Sequence, residues 1–150
     1  MICRMRVAPV SKTSQSHLLK ASVRVKRGNN TVLFRRGEPA FGIFLIKSGT
    51  VALQLEAEDG RILWDRLATK GSIIGLPGTL AGNRYSLTAV TKEESEFGFM
   101  HRDALITLIK DDSAVGLELM RALGEEVLQI RGRLGSTPLR AAPVVNGRKS

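Results

Sequence analysis

Regularly spaced glycines are the feature of this sequence that most restricts its fold. Gly28, Gly37, Gly49, Gly60 and Gly71 stand 9 to 12 residues apart, and short apolar runs lie between them. Glycine adopts the left-handed backbone conformation that tight connections require, so this spacing is typical of short strands joined by turns. The pattern predicts an all-β sandwich or barrel that begins near residue 21.

The apolar runs between the glycines support this prediction. The run 43–46 is continuously apolar, which indicates a strand buried on both faces. Residues 51–56 alternate between apolar and polar or small side chains, which predicts a half-buried strand. The segment 58–61 reads as a hairpin turn. Further strands are predicted at residues 31–34, 62–64, 85–91 and 96–100.

After His101 the period of the apolar residues changes from two to 3.6. The pattern predicts a short helix over 103–110 and a longer helix that ends near Leu134, with Asp112 or Ser113 as its N-cap. The longer helix carries apolar residues at heptad spacing: Met120, Leu123, Val127, Ile130 and Leu134. This apolar seam either packs on the barrel or pairs two copies of the chain. We favour a homodimer.

Charge separates the ends of the chain from its centre. The net charge is +9, yet residues 38–130 carry nine basic side chains against all 14 acidic ones. We therefore expect three parts: a flexible basic leader (1–20), a folded domain with its C-terminal helix (21–134) and a disordered tail (135–150). Basic ends can bind nucleic acid or anionic lipid, although they are more often solubilising extensions.

The residues that catalysis or metal binding would need are missing. The chain has two histidines and one cysteine, Cys3, so neither an internal disulfide nor a cysteine-based metal site is expected. No nucleophile–base set, phosphate-loop lysine motif or dinucleotide fingerprint is evident. The leader has no secretory apolar segment, and although it could be read as a transit peptide it shows no helical apolar face. We expect a cytoplasmic protein that is not an enzyme and does not span a membrane. The sequence identifies no cofactor.

One loop carries chemical information. Residues 71–86 are rich in glycine and contain no carboxylate, and they lie between two predicted strands. Such a loop can direct several backbone N–H groups at an anion, with Arg84 as a charge partner. The candidate ligand-binding residues are Gly75, Leu76, Pro77, Gly78, Thr79, Arg84, Tyr85 and Ser86.

Three segments together resemble the cyclic nucleotide-binding domain. They are 33–39 (LFRRGEP), 43–51 (IFLIKSGTV) and 71–75 (GSIIG), and the similarity is greatest to the effector domain of the catabolite-activator/fumarate-nitrate-regulator superfamily. The resemblance covers about residues 22–134. It implies a mainly β fold, a double-stranded β-helix (jelly roll), with a short helix in a phosphate-binding cassette. It also implies a long C-terminal helix that pairs subunits in many members.

The cassette departs from that of members that bind cyclic AMP. In those members a glutamate after the glycine holds the ribose, and an Arg-Ser or Arg-Thr pair holds the phosphate. Here the glutamate position is Leu76, and the pair corresponds best to Tyr85-Ser86, with Arg84 one residue early. A one-residue slip on a strand turns a side chain to the opposite face. The departures therefore argue against binding of cyclic AMP.

Three functions remain open at this stage. The first is a regulatory sensor that binds a small ligand other than cyclic AMP, with Leu76, Thr79, Leu80, Tyr85 and Ser86 lining the pocket, and that signals through its dimerisation helix. The second is a ligand-free scaffold for dimerisation or for a protein partner that the sequence does not identify. The third is a functional cyclic nucleotide binder that acts in transcription. Only 16 residues follow Leu134, so sequence-specific DNA binding by a helix-turn-helix is not expected.

Overall fold

The computed structural model describes residues 5–7 and 9–134, and the side chains of residues 7 and 9–125. Its strands, in chain order, are β1 (Met5–Arg6), β2 (Val23–Arg27), β3 (Val32–Phe34), β4 (Gly42–Ser48), β5 (Val51–Glu56), β6 (Ile62–Ala68), β7 (Ile73–Ile74), β8 (Thr88–Thr91) and β9 (Ser95–His101). Its helices are α1 (Lys12–Lys20), α2 (Leu76–Ala81), α3 (Arg102–Asp111) and α4 (Ser113–Leu134).

The strands form two sheets that face each other. One sheet has five strands in the order β1-β6-β5-β8-β3, and the other has four in the order β2-β9-β4-β7. Every pairing is antiparallel except β1 with β6. Strands β5 and β8 are neighbours in the sheet, although β6, β7 and α2 lie between them in the sequence. The predicted jelly roll is confirmed.

An inner core fills the space between the sheets. Its buried members are Phe34, Ala40, Phe44, Ile46, Val51, Leu53, Ala68, Ile74, Tyr85, Leu87, Ala89 and Phe97. Burial of such apolar side chains contributes about 1.5–3 kcal/mol for each large one.

An outer core lies between the four-stranded sheet and the helices. Its buried members are Val10, Leu18, Ile43, Leu45, Ile73, Leu76, Met100, Leu105, Val115 and Leu119. Strand β4 contributes to both cores, because Phe44 and Ile46 point inward while Ile43 and Leu45 point outward. The prediction of a strand buried on both faces is confirmed.

Strand β5 is more buried than its alternating pattern predicts. Val51 and Leu53 belong to the inner core, yet Ala52 and Gln54 on the opposite face are only 0% and 7% exposed. The prediction of a half-buried strand is therefore wrong. The reason is position: β5 lies in the middle of its sheet, with β6 on one side and β8 on the other, and side chains from both neighbours flank its outward residues.

Part of the predicted flexible leader is ordered structure. Residues 12–20 form α1, and Val10 and Leu18 are buried in the outer core. The prediction that residues 1–20 form a flexible leader is wrong for this part. Sequence reasoning missed α1 because its helix has only two large apolar residues, Leu18 and Leu19. The tail 135–150 lies outside the described residues.

Polar contacts attach α1 to α4. Glu118 of α4 accepts hydrogen bonds from the Ser11 backbone N–H, from the Ser11 hydroxyl at 2.8 Å and from the Ser14 hydroxyl at 2.5 Å. His17 Nδ1 lies 2.7 Å from a carboxylate oxygen of Asp112, at the start of α4. Helices α1 and α4 therefore form one unit on the outer face of the four-stranded sheet.

The predicted C-terminal helices are confirmed. Helix α3 covers the predicted 103–110, and α4 extends from Ser113 to Leu134 as predicted. The side chain of Asp112 accepts a hydrogen bond from Val115 N at 3.2 Å, which is an N-cap contact. In the part of the chain that the structure describes, no helix is long and apolar enough to cross a bilayer.

Candidate ligand site

The glycine-rich loop contains a short helix, as the resemblance implied. Strand β7 ends at Ile74, Gly75 adopts a left-handed conformation with φ of 85°, and α2 follows. Helix α2 ends at Gly82, which is again left-handed with φ of 67°. Pro77 stands in the first turn, where its missing N–H costs no helical hydrogen bond. We call the segment 75–86 the cassette.

Two cassette glycines allow close approaches that a side chain would prevent. A β-carbon on Gly78 would lie 2.4 Å from the carbonyl oxygen of Arg84. A β-carbon on Gly75 would lie 3.0 Å from the ring of Tyr85 and 3.2 Å from the carbonyl oxygen of Gly42. The cassette therefore folds back on itself and onto β4.

Tyr85 fills the centre of this arrangement. It is 2% exposed, and its ring stacks on Phe34 with 3.8 Å between ring centroids and 15° between planes. The Tyr85 hydroxyl donates to the Gly42 carbonyl at 2.7 Å, and the Thr79 hydroxyl donates to the same carbonyl at 2.9 Å. Burial raises the pKa of Tyr85 above its ordinary value of 10.0, so the phenol is neutral at physiological pH.

A small cavity lies beside Tyr85. Five of the eight predicted ligand residues line it, namely Gly75, Pro77, Gly78, Tyr85 and Ser86, together with Phe34, Leu53 and Leu87. Its volume is about 10 Å³. This volume holds about one water molecule, whereas small-molecule sites occupy roughly 300–1,000 Å³.

The other predicted ligand residues point elsewhere. Leu76 belongs to the outer core and Leu80 packs against it, so their predicted place in the pocket lining is wrong. They lie four residues apart and share the face of α2 that packs in the outer core, where α2 contacts α3. Thr79 is fully buried but is held by the Gly42 carbonyl.

Arg84 is also outside the cavity. Its guanidinium donates to the Gly37 carbonyl at 2.6 Å, and its backbone pairs with Pro39. The predicted strand over 85–91 begins only at Thr88, because residues 84 and 85 are bonded to the connection between β3 and β4 instead. The prediction that Arg84 is a charge partner in the pocket does not match this geometry.

A different arginine carries a charge into the barrel. Arg66 is the register partner of Leu53, so its side chain starts on the inner face of the five-stranded sheet, and it is 1% exposed. It is not among the residues that line the cavity beside Tyr85. Sequence reasoning missed Arg66 because the run 62–68 shows no regular alternation.

Arg102 connects the cassette to the C-terminal helices. Its Nε donates to the carbonyl of Thr79 at 2.8 Å from the first turn of α3. Helices α3 and α4 then pack together through the outer core, with Leu105 and Leu119 both fully buried. A continuous set of contacts thereby connects α2 to α4.

The two described residues of the predicted apolar seam, Met120 and Leu123, differ in burial. Met120 is 66% exposed, and Leu117, which was not predicted, is 59% exposed. Leu123 instead packs against the outer core. The side chains of Val127, Ile130 and Leu134 lie outside the described residues.

A family model for the cyclic nucleotide-binding domain matches residues 24–112. The chain belongs to this family. The anaerobic regulatory protein of Bacillus subtilis (strain 168) is 27% identical to the chain over 114 residues. That match covers 75% of this chain and 48% of the relative, so the chain spans about half the length of the curated protein.

Solved structures agree on the fold. The structure of the Thermus thermophilus catabolite activator protein matches this chain with a TM-score of 0.74 and 21% sequence identity. The match covers 83% of this chain and 59% of that protein's chain. The cyclic-di-GMP-responsive global regulator of Xanthomonas campestris has a TM-score of 0.69 at 23% identity, over 85% of this chain and 61% of its own. The domain is thus of the cyclic nucleotide-binding type and shares the fold of these two proteins.

Proposed function

We propose that this chain is a non-catalytic sensor that binds a small ligand other than cyclic AMP at the cassette and signals through α4. The observation that carries the proposal is the identity of two residues of the cassette: Leu76 stands at the position that holds the ribose in members that bind cyclic AMP, and Tyr85 stands at the position that holds the phosphate. Leu76 is turned into the outer core, and a neutral phenol stands where the resemblance implies an arginine. A cyclic phosphate in this place would lose a charge-assisted hydrogen bond, about 1.5–3 kcal/mol.

The contacts of the cassette support a route for the signal. A ligand that displaces the Tyr85 hydroxyl would alter the hydrogen bonding of the Gly42 carbonyl and thereby the position of α2, whose Thr79 donates to the same carbonyl. Arg102 passes this displacement to α3, which packs on α4. The ligand would act by favouring one of two positions of α4.

We also propose that two copies of the chain pair through α4. Leu117 and Met120 lie three residues apart, so they form an apolar patch on one face of the helix. We expect Met120→Glu to weaken the dimer, while Ile62→Glu, which introduces the same charge at an exposed apolar position on β6, leaves it intact. Light scattering over a range of concentrations measures this. Equal behaviour of both variants would contradict the α4 interface.

The experiment for ligand binding is a thermal-shift screen of the whole chain with cyclic AMP, cyclic GMP, cyclic di-GMP and small organic acids. A ligand at a hundredfold excess over its dissociation constant should stabilise the protein by about 2.7 kcal/mol. We expect no shift with cyclic AMP. A clear shift with cyclic AMP would refute the interpretation of Leu76 and Tyr85.

A ligand-free scaffold is the second candidate, and the size of the cavity favours it. About 10 Å³ leaves no room for a small organic molecule while Tyr85 stays in place. This function predicts a dimer that forms normally and a melting temperature that no compound in the screen changes. The cytoplasmic location, a protein partner and any nucleic-acid contact through the basic ends stay predictions.

A further inference from the structure

Tyr85 is the only tyrosine of the chain, and it lies where a ligand of the cassette would lie. We infer that the Tyr85 side chain is a built-in occupant of the ligand site, and that the ligand which replaces it is a flat aromatic compound with a hydroxyl group. This inference rests on the proposed ligand-binding function and names the chemical class of the ligand.

The walls of the site fit one flat ring. Phe34 stacks on one face of the Tyr85 ring, and Gly75 leaves so little space that a β-carbon would lie 3.0 Å from the ring edge. Phe41 meets the Tyr85 ring edge-on, with 6.0 Å between centroids. Stacked and edge-on aromatic pairs contribute beyond the area they bury. An aromatic ligand would keep these contacts, whereas an aliphatic one would lose them.

The polar end of the site selects a hydroxyl donor. The Tyr85 hydroxyl donates to the Gly42 carbonyl at 2.7 Å and lies 3.4 Å from the Gly42 backbone nitrogen, which donates to it. A phenolic hydroxyl satisfies both groups, because it donates and accepts at one atom. A carboxylate or phosphate oxygen cannot donate to the carbonyl, and burial in this place opposes a negative charge.

The backbone allows the side chain to leave without unfolding the cassette. Tyr85 N donates to the Glu38 carbonyl at 2.9 Å, and Gly37 N donates to the Tyr85 carbonyl at 2.8 Å. These bonds fix the main chain, while both neighbours of Tyr85, Arg84 and Ser86, are exposed. A rotation of the Tyr85 side chain is therefore the movement that opens the site.

The test uses p-cresol, which has the shape of the tyrosine side chain, and toluene, which lacks the hydroxyl. The whole chain is compared with Tyr85→Ala, whose emptied site needs no displacement. We expect Tyr85→Ala to bind p-cresol about tenfold more tightly than toluene, as one hydrogen bond implies. Leu105→Ala, which makes a cavity in the outer core, should show no such preference. Equal binding of both compounds to Tyr85→Ala would overturn the inference.

A second measurement does not depend on the folding of a variant. Fluorotyrosine labels only position 85, so one fluorine resonance reports on this side chain. We expect p-cresol to move the resonance of the wild-type chain toward the position of solvent-exposed fluorotyrosine. No movement up to the solubility limit of p-cresol would overturn the inference.

The same resonance separates this inference from the proposed function. A compound that raises the melting temperature while the resonance stays unchanged would bind elsewhere, which refutes the role of Tyr85 and leaves the sensor intact. Conversely, p-cresol that moves the resonance of the wild-type chain and leaves its dimerisation unchanged would support the built-in occupant and refute signalling through α4.

Discussion

Two hydroxyls that donate to one buried carbonyl provide a sharp test of how the cassette is attached to the barrel. The carbonyl of Gly42 accepts from Tyr85 at 2.7 Å and from Thr79 at 2.9 Å, and both side chains are 2% exposed or less. Tyr85→Phe and Thr79→Val each remove one donor and keep most of the shape. The double variant removes both.

The expected losses of unfolding free energy depend on how many hydrogen bonds the Gly42 carbonyl keeps. After either single change it still accepts from the other hydroxyl, so each costs about 1 kcal/mol of unfolding free energy, as for one ordinary hydrogen bond. After both changes the carbonyl loses both hydroxyl partners in a buried place, which adds a desolvation cost of about 1–3 kcal/mol. The double variant should therefore lose more than the sum of the singles, by at least about 1 kcal/mol.

Urea unfolding, followed by the fluorescence of the single tryptophan, Trp64, measures the four free energies of this cycle. The control pairs Tyr85→Phe with Thr50→Val, since the Thr50 hydroxyl donates to Glu93 and shares no partner with Tyr85. The control pair should be additive within about 0.5 kcal/mol. Additivity in the Tyr85 and Thr79 pair as well would show that the shared carbonyl does not couple them.

Two glycines and one carboxylate give the remaining predictions. Gly78→Ala should destabilise the fold by about 1–3 kcal/mol, because its β-carbon would lie 2.4 Å from a backbone oxygen, whereas Gly124→Ala in α4, with nothing within 4 Å, should stabilise by about 0.5–1 kcal/mol. Urea unfolding of both variants checks the contrast, and two equal losses would contradict it. Partial burial alone would raise the pKa of Glu118, but the hydrogen bonds from Ser14 and Ser11 outweigh it and lower that pKa below 4.5. Its contribution to stability is therefore present above pH 4.5 and is lost as the pH falls further, so Glu118→Gln should reduce the fall in melting temperature at acid pH. An unchanged pH profile in this variant would contradict the role of these hydrogen bonds.

Local patterns predicted most of the fold. The apolar run of β4 and the helical period of α4 predicted their elements correctly, because β4 is buried on both faces and one face of α4 packs in the outer core. The half-buried reading of β5 was wrong, since the burial of Ala52 depends on strands that pair with β5 from distant parts of the sequence. Helix α1 was missed because its stability comes from docking on α4 and not from its own pattern.

The candidate site was predicted less completely. The glycines and Tyr85 were identified because the backbone conformation of the loop requires glycine and the resemblance aligns Tyr85 with a recognition position. The prediction that Leu76 and Leu80 line the pocket failed because the direction of a side chain on a six-residue helix depends on how that helix is docked, which the local sequence does not specify. Phe34 and Gly42 lie more than 30 residues before the cassette, and no local signal marks them as its partners.

The bonds between α1 and Glu118 also set an order of events during synthesis. Ser11 and Ser14 find their partner 107 and 104 residues later in the chain. At about 5–20 residues per second, the ribosome delivers that partner roughly 5–20 s after α1 itself. The nine strands in the described part of the chain precede Glu118, so the barrel can close before the polar contacts between α1 and α4 form. During that interval the outer core lacks Leu119 of α4, which is the stage at which a nascent chain of this protein would depend most on a chaperone.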